Sequence, residues 1–283
     1  MNKVKESFAH IIFIISAATS ILAVLAICIF VFTGAIPALK EIGLFNFLNG
    51  DIWRPARGEF GIYPMIIGSL YVTGGAIILG VPLGLLCAVF LSNYCPIWLY
   101  KIVKPLIELM AGIPSIIYGF FGIAVIVPRL RLYFGGSGKG ILATSILLGI
   151  MILPTLVAVI ESSLNAVPRT YYEGALALGA THERSIFCVV IPAAKSGIIA
   201  GIVLGIGRAI GETMAVVMVA GNSPIIPDSL VSNVRTLTTN IVLEIGYASD
   251  LHKDALIATG AVLFIFILII NTTFSIISRL KEN

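Results

Sequence analysis

Six long apolar segments, separated by polar connections, restrict what this chain can fold into more than any other feature. A helix that spans a lipid bilayer needs about 20 mostly apolar residues. Within lipid each backbone polar group has to be satisfied inside its own segment, so we expect these segments to be α-helices. The predicted spans are residues 11–32, 65–91, 106–127, 141–160, 197–219 and 255–277. The sequence therefore predicts an all-α, polytopic membrane protein with six transmembrane helices.

The composition excludes a soluble protein and argues against a nucleic-acid partner. Hydrophobic residues make up 58% of the chain and charged residues only 11%, against about 45–50% and about 25% in soluble domains. The net charge of +4 comes from cations in the connections, which form no basic stripe. Cys28, Cys87, Cys95 and Cys188 lack metal-ligand spacing and are expected to be packing residues. Membrane lipid is the expected surrounding.

The connection between the fourth and fifth spans, residues 161–196, carries the strongest local pattern. Pro168 can open a helix because its missing N–H is not needed there, and Gly179 can end that helix. A second short helix is predicted for residues 180–190, and Pro192 would stop it before the next span. The pattern predicts a helix–turn–helix lying across one membrane face. Taken alone, it also fits a helix pair that only lies on the lipid headgroups.

Four residues of this connection give it a resemblance to a known motif. Glu173, Ala175, Gly179 and Pro192 match the EAA loop of ABC importer permeases in type and spacing, and Gly174, Val189 and Ile191 depart conservatively. In that family the helix pair inserts into a groove on a cytoplasmic ATPase, whose closure on ATP rocks the permease helices. The resemblance implies that Glu173, Gly174, Ala175, Gly179 and Pro192 couple the chain to an ATPase. It also implies that this EAA-like loop is cytoplasmic, and with an even number of spans both termini are then cytoplasmic.

The sequence contains no nucleotide site or catalytic motif of its own. A P-loop needs Gly, four residues, Gly, Lys and then Ser or Thr. The nearest stretch, residues 135–140, lacks Ser or Thr after Lys139 and has Tyr133 where the first Gly would stand. We therefore expect no cofactor on this chain and no enzymatic activity, and the resemblance implies that ATP with Mg²⁺ lies on a separate dimeric ATPase.

The fifth predicted span contains two ionisable residues. At about 1.5 Å per residue, Arg208 would lie about 18 Å from the span's start, near the middle of a hydrocarbon core about 30 Å thick. A lone charge there costs at least about 2.5–3.5 kcal/mol. Glu212 is four residues further on, so the two are expected to pair on one helix face. Either the pair only ties helices together, or Arg208 borders a substrate path that Glu212 gates. Arginine suits phosphate because its planar fork can donate two parallel hydrogen bonds.

Two further segments narrow the resemblance. Residues 207–215 and 106–119 look like the signature of the permease subunits of the phosphate ABC importer, and residues 234–239 resemble its PstC-type more than its PstA-type subunit. The resemblance implies the fold of type I ABC importer permeases and a place in the cytoplasmic membrane. It also implies a PstA-like permease partner, an extracytoplasmic phosphate-binding protein, and import of inorganic phosphate by alternating access.

Several assignments stay open on the residues alone. Glu108 is either a second functional charge or an inner-interface residue. Arg235 either meets phosphate or the binding protein or, as favoured here, is an exposed solvated side chain. An importer of another small anion, or an ion-driven secondary transporter that needs no ATPase, uses similar intramembrane charges.

The predicted organisation is residues 1–64 for the first span and a long outer connection, 65–278 for the transport core with its loop at 161–196, and 279–283 for a tail.

Overall fold

The structure is a computed structural model that describes the backbone of residues 2–280 and the side chains of residues 10–273 and 276. Residues 281–283 of the predicted tail lie outside the described residues. The long helices are α1 (Asn2–Ile42), α3 (Tyr63–Val89), α4 (Ile97–Gly112), α7 (Ile141–Asn165), α11 (Lys195–Gly211) and α14 (Asp250–Leu280). The short helices are α2 (Leu44–Asn49), α5 (Ser115–Phe121), α6 (Val127–Phe134), α8 (Arg169–Ala177), α9 (His182–Ser185), α10 (Ile191–Ala193), α12 (Met214–Val219) and α13 (Leu237–Glu244). Strands β1 (Trp53–Arg54) and β2 (Glu59–Phe60) form an antiparallel hairpin.

The described part of the chain spans a membrane. Five helical stretches are long and apolar enough to cross one, and they are His10–Ile42, Tyr63–Tyr94, Ser115–Phe134, Ile141–Asn165 and Asp250–Thr273. A sixth crossing is reached when the pair His182–Ala193 and Lys195–Gly211, bent by 69° at its junction, is counted as one span. The predicted all-α membrane fold is confirmed. The bundle has a hairpin end, where β1 and β2 lie, and a loop end, where the EAA-like loop lies.

Helix α7 lies at the centre of the bundle, between α3 and α11. A methyl group at Gly80 of α3 would come within 2.8 Å of Ile152 Cδ1 on α7, and one at Gly205 of α11 within 3.0 Å of Leu156 Cδ2. Helices in lipid associate through such close packing of small residues because lipid gives apolar side chains no hydrophobic drive to associate. The position of α7 therefore allows it to connect both ends of the bundle.

A second apolar cluster closes the hairpin end. Ala35 and Ala38 near the end of α1 are buried together with Phe47, Trp53 and Phe60 and the first turns of α14. The preceding part of α1 instead exposes its large apolar side chains, as a lipid-facing helix does. Helix α1 is thus attached to the rest of the chain mainly by its last turns.

Two of the predicted spans are broken, and both predictions of a continuous helix are wrong. The span predicted for 106–127 stops at Gly112, and the crossing runs from Ser115 instead. Ile113 is extended, with ψ of 125°, because the ring of Pro114 disfavours helical geometry in the residue before it. The span predicted for 197–219 stops at Gly211, where Glu212 is extended with ψ of 132° and α12 restarts at Met214.

Candidate functional site

The first arm of the EAA-like loop is helix α8, which follows Pro168 and ends in a tight left-handed turn. Gly179 has φ of +85°, a conformation that a side chain with a Cβ opposes. The Ala180 N–H donates to the Ala175 carbonyl over 3.1 Å, and the Gly179 N–H donates to the Leu176 carbonyl over 2.9 Å. These two bonds form a Schellman motif, which satisfies carbonyls at the helix end. The predicted turn at Gly179 is confirmed.

The second arm is shorter than predicted and is tied to the first. It comprises α9, a π-helical turn over Ile186–Val190 and α10, and the Thr181 hydroxyl caps it by accepting from the Arg184 N–H over 3.3 Å. The Tyr172 hydroxyl lies 2.7 Å from His182 Nδ1, which joins the two arms. Pro192 lies within α10 and does not end the second arm, because the chain bends just after that helix. The helix–turn–helix is confirmed in outline, with a later start and an interruption in its second arm.

The tip of the EAA-like loop is open. Glu173 and Gly174 are exposed, Ala175 is half-buried, and Leu178 is 91% exposed. Glu173 also borders a cavity of about 480 Å³ between α8 and the loop-end turns of α3 and α7, which Asn93, Asn165, Arg169 and His182 line as well. The tip of the loop therefore presents a carboxylate and an apolar side chain to its surroundings.

Two glycines of the loop predict opposite results for the same substitution. Gly179→Ala places a Cβ at positive φ, which costs about 1–2 kcal/mol. Gly174→Ala, the matched control within α8, meets nothing within 4 Å and gains about 0.5–1 kcal/mol of helix propensity. Amide hydrogen exchange over residues 174–181 checks this. Faster exchange is expected in the first variant and slower exchange in the second, and equal rates would contradict the turn.

Arg208 and Glu212 do not form the expected ion pair; among the described residues the structure gives none between them. The Arg208 Nη1 donates instead to Thr155 Oγ1 of α7 over 3.0 Å. The Glu212 carboxylate accepts from the Thr213 N–H over 3.1 Å and the Ala215 N–H over 3.3 Å, so it caps α12. The prediction fails because the helix ends at Gly211, and four-residue spacing brings side chains together only within a continuous helix.

The two broken spans meet inside the bundle. Helix α5 crosses α12 so closely that a methyl group at Gly119 would lie 2.4 Å from Met218 Sδ and 3.3 Å from Ala215 Cα. The Tyr118 hydroxyl spans the first break by donating to the Met110 carbonyl over 2.8 Å. From α13, the Thr238 hydroxyl donates to the Glu212 carbonyl at the second break over 3.1 Å. Non-helical backbone inside a membrane protein is tolerated where protein or a water-filled cavity surrounds it. Arg208 precedes the second break by about one helical turn.

Arg235 is not the exposed side chain that the sequence favours. Only 14% of the side chain is accessible, and it pairs with Glu244 Oε1 at 2.5 Å. It also donates to the Asn222 carbonyl over 3.1 Å and to Asn240 Oδ1 over 3.0 Å. Paired and half-buried at the hairpin end, Arg235 acts within the fold rather than as a solvated charge.

A cluster around Glu244, not anticipated from the sequence, joins four parts of the hairpin end. We call Trp53, Arg235, Glu244 and His252 the Glu244 cluster. Trp53 Nε1 lies 2.8 Å and His252 Nε2 2.9 Å from Glu244 Oε2. Burial alone would raise the pKa of the Glu244 carboxyl, but the hydrogen bonds from Trp53, Arg235 and His252 outweigh it and lower that pKa below its ordinary value of 4.5.

The Glu244 cluster predicts an acid-dependent loss of stability. A carboxyl whose folded pKa is lowered stabilises the fold fully above its unfolded pKa, and that contribution is lost as the pH falls through the folded pKa. We therefore expect the thermal midpoint of the purified protein to fall below about pH 4.5 more steeply than that of Glu244→Gln. The control is Glu41→Gln at an exposed position, whose curve should follow the wild type. Parallel curves for wild type and Glu244→Gln would contradict the assignment.

A second unanticipated cluster lies at the loop end, and it explains the place of Glu108. Glu161 on α7 is 2% exposed, and its carboxylate accepts from the Tyr100 hydroxyl over 2.8 Å and from Lys104 Nζ over 2.6 Å. Glu108 is one helical turn beyond Lys104, at 3.9 Å from its Nζ, and its side chain is 62% exposed. Glu108 thus lies on the exposed side of Lys104, and both interpretations of its role stay predictions.

Comparison with known proteins shows the family. Residues 80–282 match the model of the family described as "Binding-protein-dependent transport system inner membrane component". The match covers more than half of the chain, so the chain belongs to this family. It is 35% identical over 271 residues to the "Probable ABC transporter permease protein YqgH" of Bacillus subtilis, covering 91% of this chain and 87% of that protein. It is 34% identical over 293 residues to the "Phosphate transport system permease protein PstC" of Haemophilus influenzae, covering 96% and 89%.

Solved structures agree on the architecture. The chain aligns with a bacterial ABC transporter involved in the import of alginate at a TM-score of 0.63 and 14% identity, covering 94% of this chain and 95% of that chain. At this level of identity the likeness shows the fold alone. The predicted fold of type I ABC importer permeases is confirmed.

Proposed function

We propose that this chain is the PstC-type membrane subunit of an ABC importer that carries inorganic phosphate into the cell. The observation that carries the proposal is the location of Arg208 about one helical turn before the second break, in a chain whose curated relatives include phosphate transport permeases. Broken helices provide the polar backbone that a membrane interior otherwise lacks, and such breaks are typical of binding sites in transporters.

Arg208 is suited to bind a phosphate oxyanion. A guanidinium has five N–H donors, and the structure gives that of Arg208 one hydrogen bond, to Thr155, among the described residues. Thr155 holds the side chain toward α7, and the remaining donors can form a bidentate contact with a phosphate. Glu212 would control this site indirectly, because movement of the break that it caps displaces the end of the helix carrying Arg208.

The EAA-like loop is the part of the chain proposed to receive motion from an ATPase. Its exposed Glu173 can make a charge-assisted hydrogen bond to a partner, and the bond between Tyr172 and His182 makes both arms move together. In the proposed assembly this chain pairs with a PstA-like permease, two ATPase copies bind at the loop end, and a phosphate-binding protein docks at the hairpin end. ATP and Mg²⁺ would lie on the ATPase.

This assembly requires the EAA-like loop and both termini to be cytoplasmic. Leu178→Cys, placed in a chain whose own cysteines are replaced by alanine and expressed without the ATPase that would cover the loop, tests the orientation at a side chain that is 91% exposed. A membrane-impermeant maleimide should label it in inverted vesicles and leave it unlabelled in intact cells. Labelling only in intact cells would overturn the proposed orientation.

Purification in mild detergent tests the proposed assembly. We expect the tagged chain to co-purify with a second permease and an ATPase. Under turnover conditions a phosphate-binding protein should co-purify as well. An importer of another anion would bring a binding protein that does not bind phosphate. A purified chain that transports without any ATPase would favour the ion-driven alternative.

A further inference from the structure

Glu161 is the most buried carboxylate among the described residues, and it lies outside both the Arg208 region and the tip of the EAA-like loop. It is 2% exposed and precedes the end of α7 by about one turn. Tyr100 and Lys104, both on α4, bind its two oxygens. We call these three residues the Glu161 cluster. Removing one partner of a buried ion pair is strongly destabilising, because the other charge is left unpaired.

Helix α4 has few other attachments to α7. None of its residues is buried, and the side chains packed toward the core are Tyr100, Val103 and Ile107. Together with Lys104 they follow the i, i+3, i+4, i+7 spacing of a single helix face. The opposite face exposes Trp98, Leu106 and Leu109, among others. Within the described residues, the polar contacts between α4 and α7 are those of the Glu161 cluster.

The Glu161 cluster lies between the EAA-like loop and the broken spans. Helix α7 carries Thr155, the partner of Arg208, and continues past Glu161 toward α8. Helix α4 leads across the break at Gly112 to α5, which packs against α12. The cluster thus joins the helix that enters the loop to the helix that leads to the breaks.

We infer that Tyr100, Lys104 and Glu161 are positioning residues that transmit displacement of the EAA-like loop to the broken spans. The inference rests on the proposed function. When the EAA-like loop displaces the end of α7, the ion pair between Glu161 and Lys104 displaces α4 as well. The break that follows α4 at Gly112 then moves with that helix. A charge-assisted bond is shorter and roughly twice as strong as a neutral one. The Lys104–Glu161 pair therefore stays bonded under a displacement that would break a neutral contact.

The test measures phosphate uptake and ATP hydrolysis in the same proteoliposomes, which contain the complete complex and its binding protein. Lys104→Met keeps the apolar stem and removes the charge, and Glu161→Gln keeps the shape. For both we expect phosphate transported per ATP to fall about tenfold, within the range of coupling changes from single substitutions, while ATP hydrolysis persists. The control is Lys101→Met, an exposed residue of α4, which should keep the wild-type ratio.

Charge reversal separates coupling from simple support of the fold. The double variant Lys104→Glu with Glu161→Lys restores opposite charges and should recover part of the lost ratio. If Lys104→Met prevents assembly, Tyr100→Phe removes one hydroxyl only, and a smaller fall in the ratio is expected. An unchanged ratio of phosphate transported to ATP hydrolysed in the assembled variants would overturn the inference. A parallel fall of uptake and hydrolysis leaves that ratio unchanged and counts as the same outcome. A wild-type complex that hydrolyses ATP without moving phosphate would instead refute the proposed substrate.

Discussion

Replacing Arg208 by alanine is expected to lower phosphate uptake by about 100-fold or more while the protein still inserts and assembles. Hydrogen bonds to a charged group are worth about 1.5–3 kcal/mol each, and a bidentate contact with phosphate loses two of them. Every 1.4 kcal/mol is about a factor of ten. Radiolabelled phosphate uptake in cells that carry the variant as their only such permease, normalised to membrane abundance, measures the effect.

Three companion variants define what the loss at Arg208 means. Arg208→Lys keeps the charge but loses the planar fork, so we expect intermediate uptake. Thr155→Val removes the hydroxyl that holds the guanidinium and should act in the same direction with a smaller loss. Arg131→Ala, at an exposed position of α6, controls for loss of positive charge and should transport normally. Normal uptake by Arg208→Ala would refute its role on the substrate path.

Reversing the charge of Glu173 is expected to separate the permease from its ATPase. Glu173→Lys replaces an acceptor of charge-assisted hydrogen bonds by a like-sign repulsion against any cationic partner. Truncating or reversing one member of a buried interfacial charge pair costs about 2–5 kcal/mol, so we expect co-purification of the ATPase and ATP-dependent uptake to fall by about 30-fold or more.

The matched control lies in the second arm of the same loop. Glu183 is also exposed, so Glu183→Lys makes the same change of charge within the loop at another position. We expect this variant to retain the ATPase. Equal loss in both variants would mean that the net charge of the loop matters and that Glu173 has no particular role. Full retention by Glu173→Lys would argue against docking through α8.

The features that the sequence predicts well are those with local causes. The turn at Gly179 follows from a residue that tolerates positive φ after a run of helix formers. The break before Pro114 has a local cause as well, because the proline ring disfavours helical geometry at residue 113. A prediction from hydropathy alone nevertheless gives one uninterrupted span there. Hydropathy counts apolar length and does not register where backbone hydrogen bonding stops.

The features that the sequence misses depend on contacts between distant residues. The second break has no proline to mark it, and the Glu212 carbonyl at this break accepts from the Thr238 hydroxyl, 26 positions further along the chain. The bond from Trp53 to Glu244 joins residues 191 positions apart, and the Lys104 bond to Glu161 joins residues 57 apart. No periodicity or spacing rule links such positions, so the pairing expected for Arg208 and the exposure expected for Arg235 both failed.

This chain is expected to move phosphate only as part of an ATP-driven complex. The most direct measurement compares phosphate accumulation in two sets of vesicles: one holds the purified complete complex with its binding protein, and the other holds this chain alone. We expect accumulation against a gradient in the first set when ATP is present on the side of the EAA-like loop, and none in the second under ATP, a proton gradient or a sodium gradient. Uphill accumulation by the chain alone would contradict the account.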